Sequence, residues 1–230
     1  MKGIINTYSK PSIISLLWKL VVMTFAVIGV YLQAKLDGGL FSTNVYLYFT
    51  ILSNMGTAIL CLVCFVMGIA ERCVKRLFIP HSLYALKYMF TIAMTITLVV
   101  SLCLLAPFKS QAYLFSLRNL SVHIFAPFGA VVDFLAFDKR FRCRLRNCFA
   151  GFVVPAVYLA VTLLLSIKGI SYSNGTNFPY YFLDYRTLGW LNFEAGKIGV
   201  VWWIALIAII TLVVSLLLTS VKIVVDKCRR

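Results

Sequence analysis

The sequence predicts an all-α fold, a polytopic membrane bundle of six transmembrane helices. Of its 230 residues, 62% are hydrophobic and only 13% are charged. The hydrophobic residues fall in long uncharged stretches, and about 20 such residues cross a bilayer core about 30 Å thick. No stretch has the composition of a separate soluble domain, so we expect residues 1–230 to form a single transmembrane domain.

Six windows without charged residues define the predicted helices. In chain order the windows cover residues 20–34, 38–70, 88–108, 119–132, 147–167 and 198–221. With their flanks they predict helices at about 12–34, 44–70, 84–106, 119–137, 147–167 and 198–222. Lys2 and Lys10 precede the first window as in a signal peptide, but no small-residue cleavage site follows it. The first window is therefore predicted to remain in place as a membrane helix.

The distribution of basic residues predicts the orientation. The amino terminus, every second loop and the carboxyl-terminal tail together hold 14 of the 22 basic residues. These are Lys2, Lys10, Arg72, Lys75, Arg76, Lys139, Arg140, Arg142, Arg144, Arg146, Lys222, Lys227, Arg229 and Arg230. The alternate loops hold Lys35, Lys109, Arg118, Lys168, Arg186 and Lys197. Because the more basic loops stay in the cytoplasm, both termini are predicted to be cytoplasmic.

The formal net charge of +15 raises the question of a nucleic-acid partner. These charges lie in short loops that flank membrane helices, where attraction to anionic lipid headgroups explains them. We therefore expect membrane lipid, and no nucleic acid, as the partner. The composition predicts no particular oligomeric state.

Polar residues follow one face in the outer half of helix two. Tyr46, Thr50, Asn54 and Thr57 are spaced i, i+4, i+8 and i+11, a spacing that places all four side chains on one side of an α-helix. Such a polar stripe inside an apolar helix indicates either contact with another helix or a polar cavity.

Helix four carries the one histidine inside an uncharged window, His123, four residues after Asn119. An ionisable side chain in hydrocarbon usually marks a functional site. Pro127 has no N–H, so it leaves the His123 carbonyl without its helical donor. His123 and Thr50 are predicted to differ in membrane depth by only about 3 Å, at a rise of 1.5 Å per residue.

This pairing has a chemical interpretation. A threonine hydroxyl becomes a nucleophile when a neighbouring base takes its proton, and a neutral imidazole can do so. Thr50 and His123 are therefore candidate catalytic residues, with Asn54 or Asn119 orienting the imidazole or donating to an oxyanion. The alternative is that these side chains only form hydrogen bonds between helices, worth about 0.6 kcal/mol each.

Charged residues also occur within the predicted helices. Lys19, Lys87 and Asp133 lie toward the cytoplasmic third. Lys87 and Asp133 are expected to form a structural ion pair between helices three and four, which we favour over a proton relay.

The last outer loop is dense in aromatic residues over positions 177–190, with Asp184 and Arg186 among them. An interfacial belt of Tyr and Trp explains such a loop, and a lid over a lipid-binding cavity is the alternative. Under the second interpretation, Arg118 or Arg186 would hold a substrate carboxylate, and Tyr46 and Asp184 would complete the substrate site.

Three short motifs resemble one known family. They are Tyr48-Phe-Thr50-x-x-x-Asn54, Asn119-x-x-x-His123-x-x-x-Pro127 followed by Asp133, and Pro179-Tyr-Tyr-Phe-Leu-Asp184. In order and spacing they resemble the androgen-induced and androgen-dependent TFPI-regulating proteins, which are multi-pass hydrolases of fatty acid esters of hydroxy fatty acids. Bacterial membrane proteins of largely unassigned function share the pattern, and this sequence looks closer to them.

The resemblance implies a threonine nucleophile at Thr50, a histidine at His123 and a location in the cell membrane, the inner membrane for a bacterial member. The leading hypothesis is therefore an intramembrane lipid ester hydrolase. Neither a cofactor nor a metal is expected, because His81, the second of only two histidines, lies at the cytoplasmic edge. The alternatives are a carrier or channel that uses His123, Asp133 and Lys87, and a non-catalytic lipid-binding membrane protein.

Overall fold

A computed structural model of the chain describes residues 11–36, 39–41, 44–76, 79–172, 175–194 and 197–229. Within these ranges, six helices are long and apolar enough to cross a membrane. Numbered span one to span six, they are Ile13–Leu36, Phe49–Val74, His81–Phe108, Leu117–Phe137, Leu145–Ile167 and Val200–Cys228. The predicted six-helix, multi-pass membrane bundle is confirmed. Lys2, Lys10 and Arg230, which entered the charge pattern, lie outside the described residues.

The start of span two differs from the prediction. A 3₁₀ turn, Val45–Leu47, precedes it, and Tyr48 is extended with ψ of 139° before the α-helix begins at Phe49. Tyr46 therefore does not lie one helical turn before Thr50, and the predicted stripe loses its first member. Tyr46 instead donates to the carbonyl of Leu40 at 2.7 Å.

Spans three and four are not uniform α-helices. Span three consists of α-helix His81–Val100, π-helix Ser101–Leu105 and 3₁₀ turn Ala106–Phe108. Span four consists of α-helix Leu117–Leu120, π-helix Ser121–Phe125 and α-helix Ala126–Phe137. In each span a proline, Pro107 or Pro127, lies two residues after the π segment. Because proline cannot donate to the carbonyl four residues earlier, each π segment contains the carbonyl that loses its donor.

The connections and span five complete the secondary structure. Span five begins as 3₁₀ helix Leu145–Phe152 and continues as α-helix Val153–Ile167. Short helical turns lie at Gln111–Leu114, Tyr181–Leu183 and Tyr185–Leu188, and strands Phe193–Glu194 and Lys197–Ile198 pair antiparallel. The last two of these turns and the strand pair belong to the connection between spans five and six, and Gln111–Leu114 belongs to the connection between spans three and four.

Spans one to four form the more buried part of the bundle. Span one packs against spans two and four, and span three contacts spans two, four, five and six. Gly29 permits the closest approach between spans one and four, because a Cβ there would lie 2.5 Å from Cγ1 of Val122 and 2.9 Å from Cβ of Ser121. Small residues let membrane helices approach in this way. The π segment of span four thus rests directly on span one.

A buried network of charges joins four spans at the end of the bundle where span three begins. Lys87 Nζ lies 2.5 Å from Asp133 Oδ2 and 2.7 Å from Asp138 Oδ2. Lys19 Nζ lies 2.8 Å from Asp133 Oδ1 and 3.8 Å from Asp138 Oδ1. Lys222 donates to the carbonyl of Asp138 at 3.0 Å. The expected pair of Lys87 and Asp133 therefore belongs to a larger arrangement in which two ammonium groups balance two carboxylates.

This balance predicts opposite effects for a single and a double substitution. Lys87→Met leaves one buried carboxylate charge uncompensated, so we expect it to lower the free energy of unfolding by about 3–5 kcal/mol. Lys87→Met combined with Asp138→Asn leaves the neutral pair of Lys19 and Asp133, and it should recover most of that loss. Unfolding of the purified protein in mixed detergent micelles measures both values. A double variant less stable than Lys87→Met would contradict the account.

Candidate functional site

Two cavities meet at Thr50, the second residue of the α-helix in span two. The larger cavity has a volume of about 480 Å³ and the smaller about 230 Å³. Thr50, Leu105 and Tyr180 line both. Thr50 is 9% exposed. Its hydroxyl therefore lies between two chambers, near the end of the bundle opposite to the charge network.

The larger cavity combines polar and cationic groups. Its wall includes Arg118 from the first turn and His123 from the π segment of span four, together with Lys109 and Tyr113 from the connection before that span. Lys109 Nζ lies 5.5 Å and Arg118 Cζ 4.9 Å from the centroid of the Tyr113 ring. Two cations placed near one aromatic ring favour an anionic group at this wall.

The smaller cavity is almost wholly apolar. It lies among spans two, three, five and six and the last loop, with Val100, Leu159 and Ile204 among its lining residues. The π segment of span three contributes Ser101 and Leu105. A narrow apolar chamber of this kind suits a hydrocarbon chain, because binding removes apolar surface from its surroundings without burying a polar group.

His123 has the arrangement of a base. The ring is 8% exposed, and it makes a hydrogen bond with the backbone of Thr97 in span three. Nδ1 is buried and has no hydrogen-bond partner among the described residues. We therefore assign the proton to Nε2, which donates to the Thr97 carbonyl, and the lone pair to Nδ1. A nitrogen with a free lone pair can accept a proton, and His123 lines the same cavity as Thr50.

Asn54 ties span two to span four. Its amide donates to the carbonyl of Thr50 at 2.7 Å and to the carbonyl of Val122 at 3.1 Å. Both amide hydrogens are thereby used, and Asn54 lines neither cavity described above. This geometry leaves no donor for an oxyanion. Asn54 instead links the Thr50 carbonyl to the carbonyl of Val122, the residue before His123.

Asn119 also lies away from both cavities. Its amide donates to the carbonyl of Leu114 at 2.9 Å, and its backbone N–H donates to Ser116 at 3.4 Å. The side chain therefore closes the turn before span four and does not reach the wall that contains His123. Tyr46, tied to Leu40 as described, does not line either cavity.

Asp184 and Arg186 shape the last loop. Asp184 accepts from the backbone N–H groups of Arg186 and Thr187, each at 3.1 Å, and from the Thr187 hydroxyl at 2.7 Å. Arg186 donates to Asn177 at 3.2 Å and is exposed. Neither residue lines a cavity. The substrate-binding roles of Asp184 and Arg186 therefore stay predictions. Asp184 caps a helical turn, and Arg186 is exposed on the loop surface.

Tyr180 is a site residue that the sequence did not single out. Burial raises the pKa of its phenol to about 12, against the opposing effect of hydrogen bonding by Thr50 and by the backbone of Phe49. Its ring stacks on Phe182 with a centroid distance of 5.2 Å and meets Tyr48 edge-on at 6.0 Å. The Pro179-Tyr-Tyr motif was the available signal, but its aromatic density also fits an interfacial belt.

Lys109 is the second residue that the sequence analysis missed. The sequence pattern counted it only as one charge of an outer loop, although Tyr113 follows it by four residues.

Among the described residues, no group of three or more His, Cys, Asp or Glu side chains could hold a metal ion. The chemistry available at this site is that of a hydroxyl, an imidazole, a phenol and two cations.

Comparison of the chain with protein-family models, with characterised proteins and with solved structures gives no match. The interpretation of the site therefore rests on its own geometry.

The position of Asn54 gives a testable prediction. Asn54→Leu removes the hydrogen bond between spans two and four, so we expect the free energy of unfolding to fall by about 0.6–1.7 kcal/mol. It should also shift the imidazole ¹⁵N resonances of His123, because the neighbouring Val122 carbonyl loses its donor. Asn119→Leu, which removes an amide from a turn outside both cavities, is the control and should leave these resonances in place. Unchanged His123 resonances in Asn54→Leu would contradict the assigned role.

Proposed function

We propose that this protein is an intramembrane lipid ester hydrolase in which Thr50 is the nucleophile and His123 the base. One observation carries the proposal. Thr50 lines both an apolar and a cationic chamber, and the second chamber is also lined by His123, whose buried Nδ1 has no hydrogen-bond partner among the described residues. The six apolar helices and the motifs that resemble fatty acid ester hydrolases favour a lipid as substrate.

The two cavities suggest how such a substrate would bind. Its acyl chain would occupy the apolar chamber, and the ester carbonyl would then lie at the boundary beside Thr50. The alcohol part would extend into the larger cavity, where Lys109 and Arg118 would attract a carboxylate. A fatty acid ester of a hydroxy fatty acid has these three parts in this order. The basic loops favour a cell membrane location, the inner membrane in a bacterium.

The reaction would follow ordinary acyl transfer. His123 Nδ1 takes the Thr50 proton while Oγ1 attacks the ester carbonyl carbon. When the tetrahedral intermediate collapses, the ester C–O bond breaks and the leaving alkoxide takes the proton from His123. Water then gives a proton to the same imidazole and attacks the acyl carbon. The bond between that carbon and Thr50 Oγ1 breaks, Oγ1 takes the proton back from His123, and the fatty acid is released.

The carrier or channel alternative has weaker support. It requires a polar route from His123 to Asp133, which are about 15 Å apart along span four. Asp133 and Lys87 are engaged with each other and with Lys19 and Asp138. A closed, charge-balanced network is what structural charges in a membrane protein form. Flux through proteoliposomes that contain the purified protein separates a carrier from a hydrolase.

The test combines turnover with the site of covalent labelling. Purified protein in nanodiscs is expected to cleave branched fatty acid esters and to form a fluorophosphonate adduct on Thr50, located by mass spectrometry. Thr50→Ala should abolish both. His123→Ala should lower kcat by about 10²–10⁴-fold, because the hydroxyl loses its base.

Matched controls are available within the chain. His81→Ala removes the other histidine, whose ring packs on Phe141 at 5.2 Å, at the far end of the bundle. Thr95→Ala removes a hydroxyl that bonds to the carbonyl of Thr91 and lines neither cavity. Both should keep full turnover. Full turnover in Thr50→Ala, or lipid binding without turnover in the unmodified protein, would contradict the hydrolase proposal, and the second result would favour a lipid-binding protein.

A further inference from the structure

An ester hydrolase needs a hydrogen-bond donor for the oxyanion that forms during attack, and the geometry restricts the choice. Asn54 has donated both amide hydrogens to backbone carbonyls. Among the described residues, Thr50, Leu105 and Tyr180 line both cavities. Leu105 has no polar side-chain atom and Thr50 is the nucleophile. Tyr180 is the remaining residue with a side-chain donor at the boundary.

We propose that the Tyr180 hydroxyl is a further catalytic residue, which donates a hydrogen bond to the substrate carbonyl oxygen as that oxygen becomes negatively charged. This inference rests on the proposed hydrolase function. The sequence pattern predicts an oxyanion donor in span two or span four, at Asn54 or Asn119. The inference assigns this role to Tyr180, in the loop between spans five and six.

The ring of Tyr180 is held in place before substrate binds. It stacks on Phe182 with an interplanar angle of 4° and contacts the edge of Tyr48, which also meets Tyr172 edge-on at 5.7 Å. The backbone N–H of Leu183 donates to the Tyr180 carbonyl at 3.0 Å. A donor fixed in this way requires little rearrangement during the reaction, which is the condition under which an oxyanion donor is most effective.

The start of span two favours the hydroxyl as a donor. The phenol oxygen of Tyr180 forms hydrogen bonds with the Thr50 side chain and with the backbone of Thr50 and Phe49. These backbone groups belong to the first turn of a helix, where N–H groups have no intrahelical partner and the helix dipole is positive. Donation to the phenol oxygen polarises its O–H bond and strengthens the bond it donates. With a pKa of about 12, the phenol keeps its proton near neutral pH.

The step balances without a further reactant. Thr50 Oγ1 forms a bond to the carbonyl carbon, its proton moves to His123 Nδ1, and the carbonyl π electrons move to the oxygen. Tyr180 donates a hydrogen bond to that oxygen and keeps its own proton. When the carbonyl forms again, the leaving oxygen takes the proton from His123 and the hydrogen bond to Tyr180 weakens.

The test uses Tyr180→Phe in the full-length protein in nanodiscs. We expect kcat for a branched fatty acid ester to fall by about 10²–10³-fold, the loss typical of a removed oxyanion donor, while KM changes by less than about threefold. The matched control is Tyr185→Phe, because Tyr185 belongs to the same loop, stacks on Trp190 at a centroid distance of 4.9 Å and lines neither cavity. It should retain kcat within about threefold.

A thionoester substrate, in which sulfur replaces the carbonyl oxygen, separates a donor role from a structural one. Sulfur is a poor hydrogen-bond acceptor, so removing a donor to this atom should slow the ester far more than the thionoester. The ester-to-thionoester ratio of kcat is therefore expected to fall in Tyr180→Phe and to stay unchanged in Tyr185→Phe. A structural defect would slow both substrates alike.

The possible results are distinct. If Thr50 is required for turnover but Tyr180→Phe keeps its kcat or its substrate ratio, this inference is overturned and the hydrolase proposal stands. A loss of kcat accompanied by a lower unfolding temperature and an unchanged ratio assigns Tyr180 a structural role and also overturns the inference. Absence of both turnover and a Thr50 adduct in the unmodified protein overturns the proposed function and this inference together.

Discussion

Hydrocarbon offers polar groups no hydrogen-bond partner, so each polar side chain in this bundle must be paired within the protein or face a cavity. The two ends of the bundle meet this requirement differently. At one end Lys19, Lys87, Asp133 and Asp138 satisfy one another. At the other end Nδ1 of His123 lacks a partner among the described residues and the ring lines a cavity. The first end is suited to holding helices together, and the second keeps a reactive group available.

Pro107 and Pro127 affect which side chains of spans three and four face the cavities. Each follows a π segment, and a π turn is wider than an α turn, so it changes which side chains face the interior. In span three the π segment brings Leu105 to both cavities, and in span four it carries His123 to the wall of the larger one. Gly29 of span one supports the second π segment by close backbone packing. The local departure from α-helix is thus the feature that positions the imidazole.

The sequence predicted the class, the number of spans and most of their bounds, because bilayer thickness imposes a length that composition reveals. It also predicted similar membrane depths for Thr50 and His123, and both residues line the larger cavity. It could not predict that Tyr48 is extended and delays span two, since this depends on packing of the loop. Helical spacing also failed to predict the roles of Asn54 and Tyr180. The hydrogen bonds of Asn54 depend on the rotation of span four, and Tyr180 reaches the site from a loop about 130 residues away along the chain.

In the proposed mechanism, Thr50 and His123 act on one ester at the boundary of the two cavities. An experimental structure of the protein with a long-chain phosphonate bound in place of the ester tests it most directly. We expect phosphorus bonded to Thr50 Oγ1, His123 Nδ1 within about 2.6–3.2 Å of a reacting oxygen, and the alkyl chain in the apolar cavity. Phosphonate bonded to another residue, or Thr50 and His123 separated by packed side chains, would contradict it.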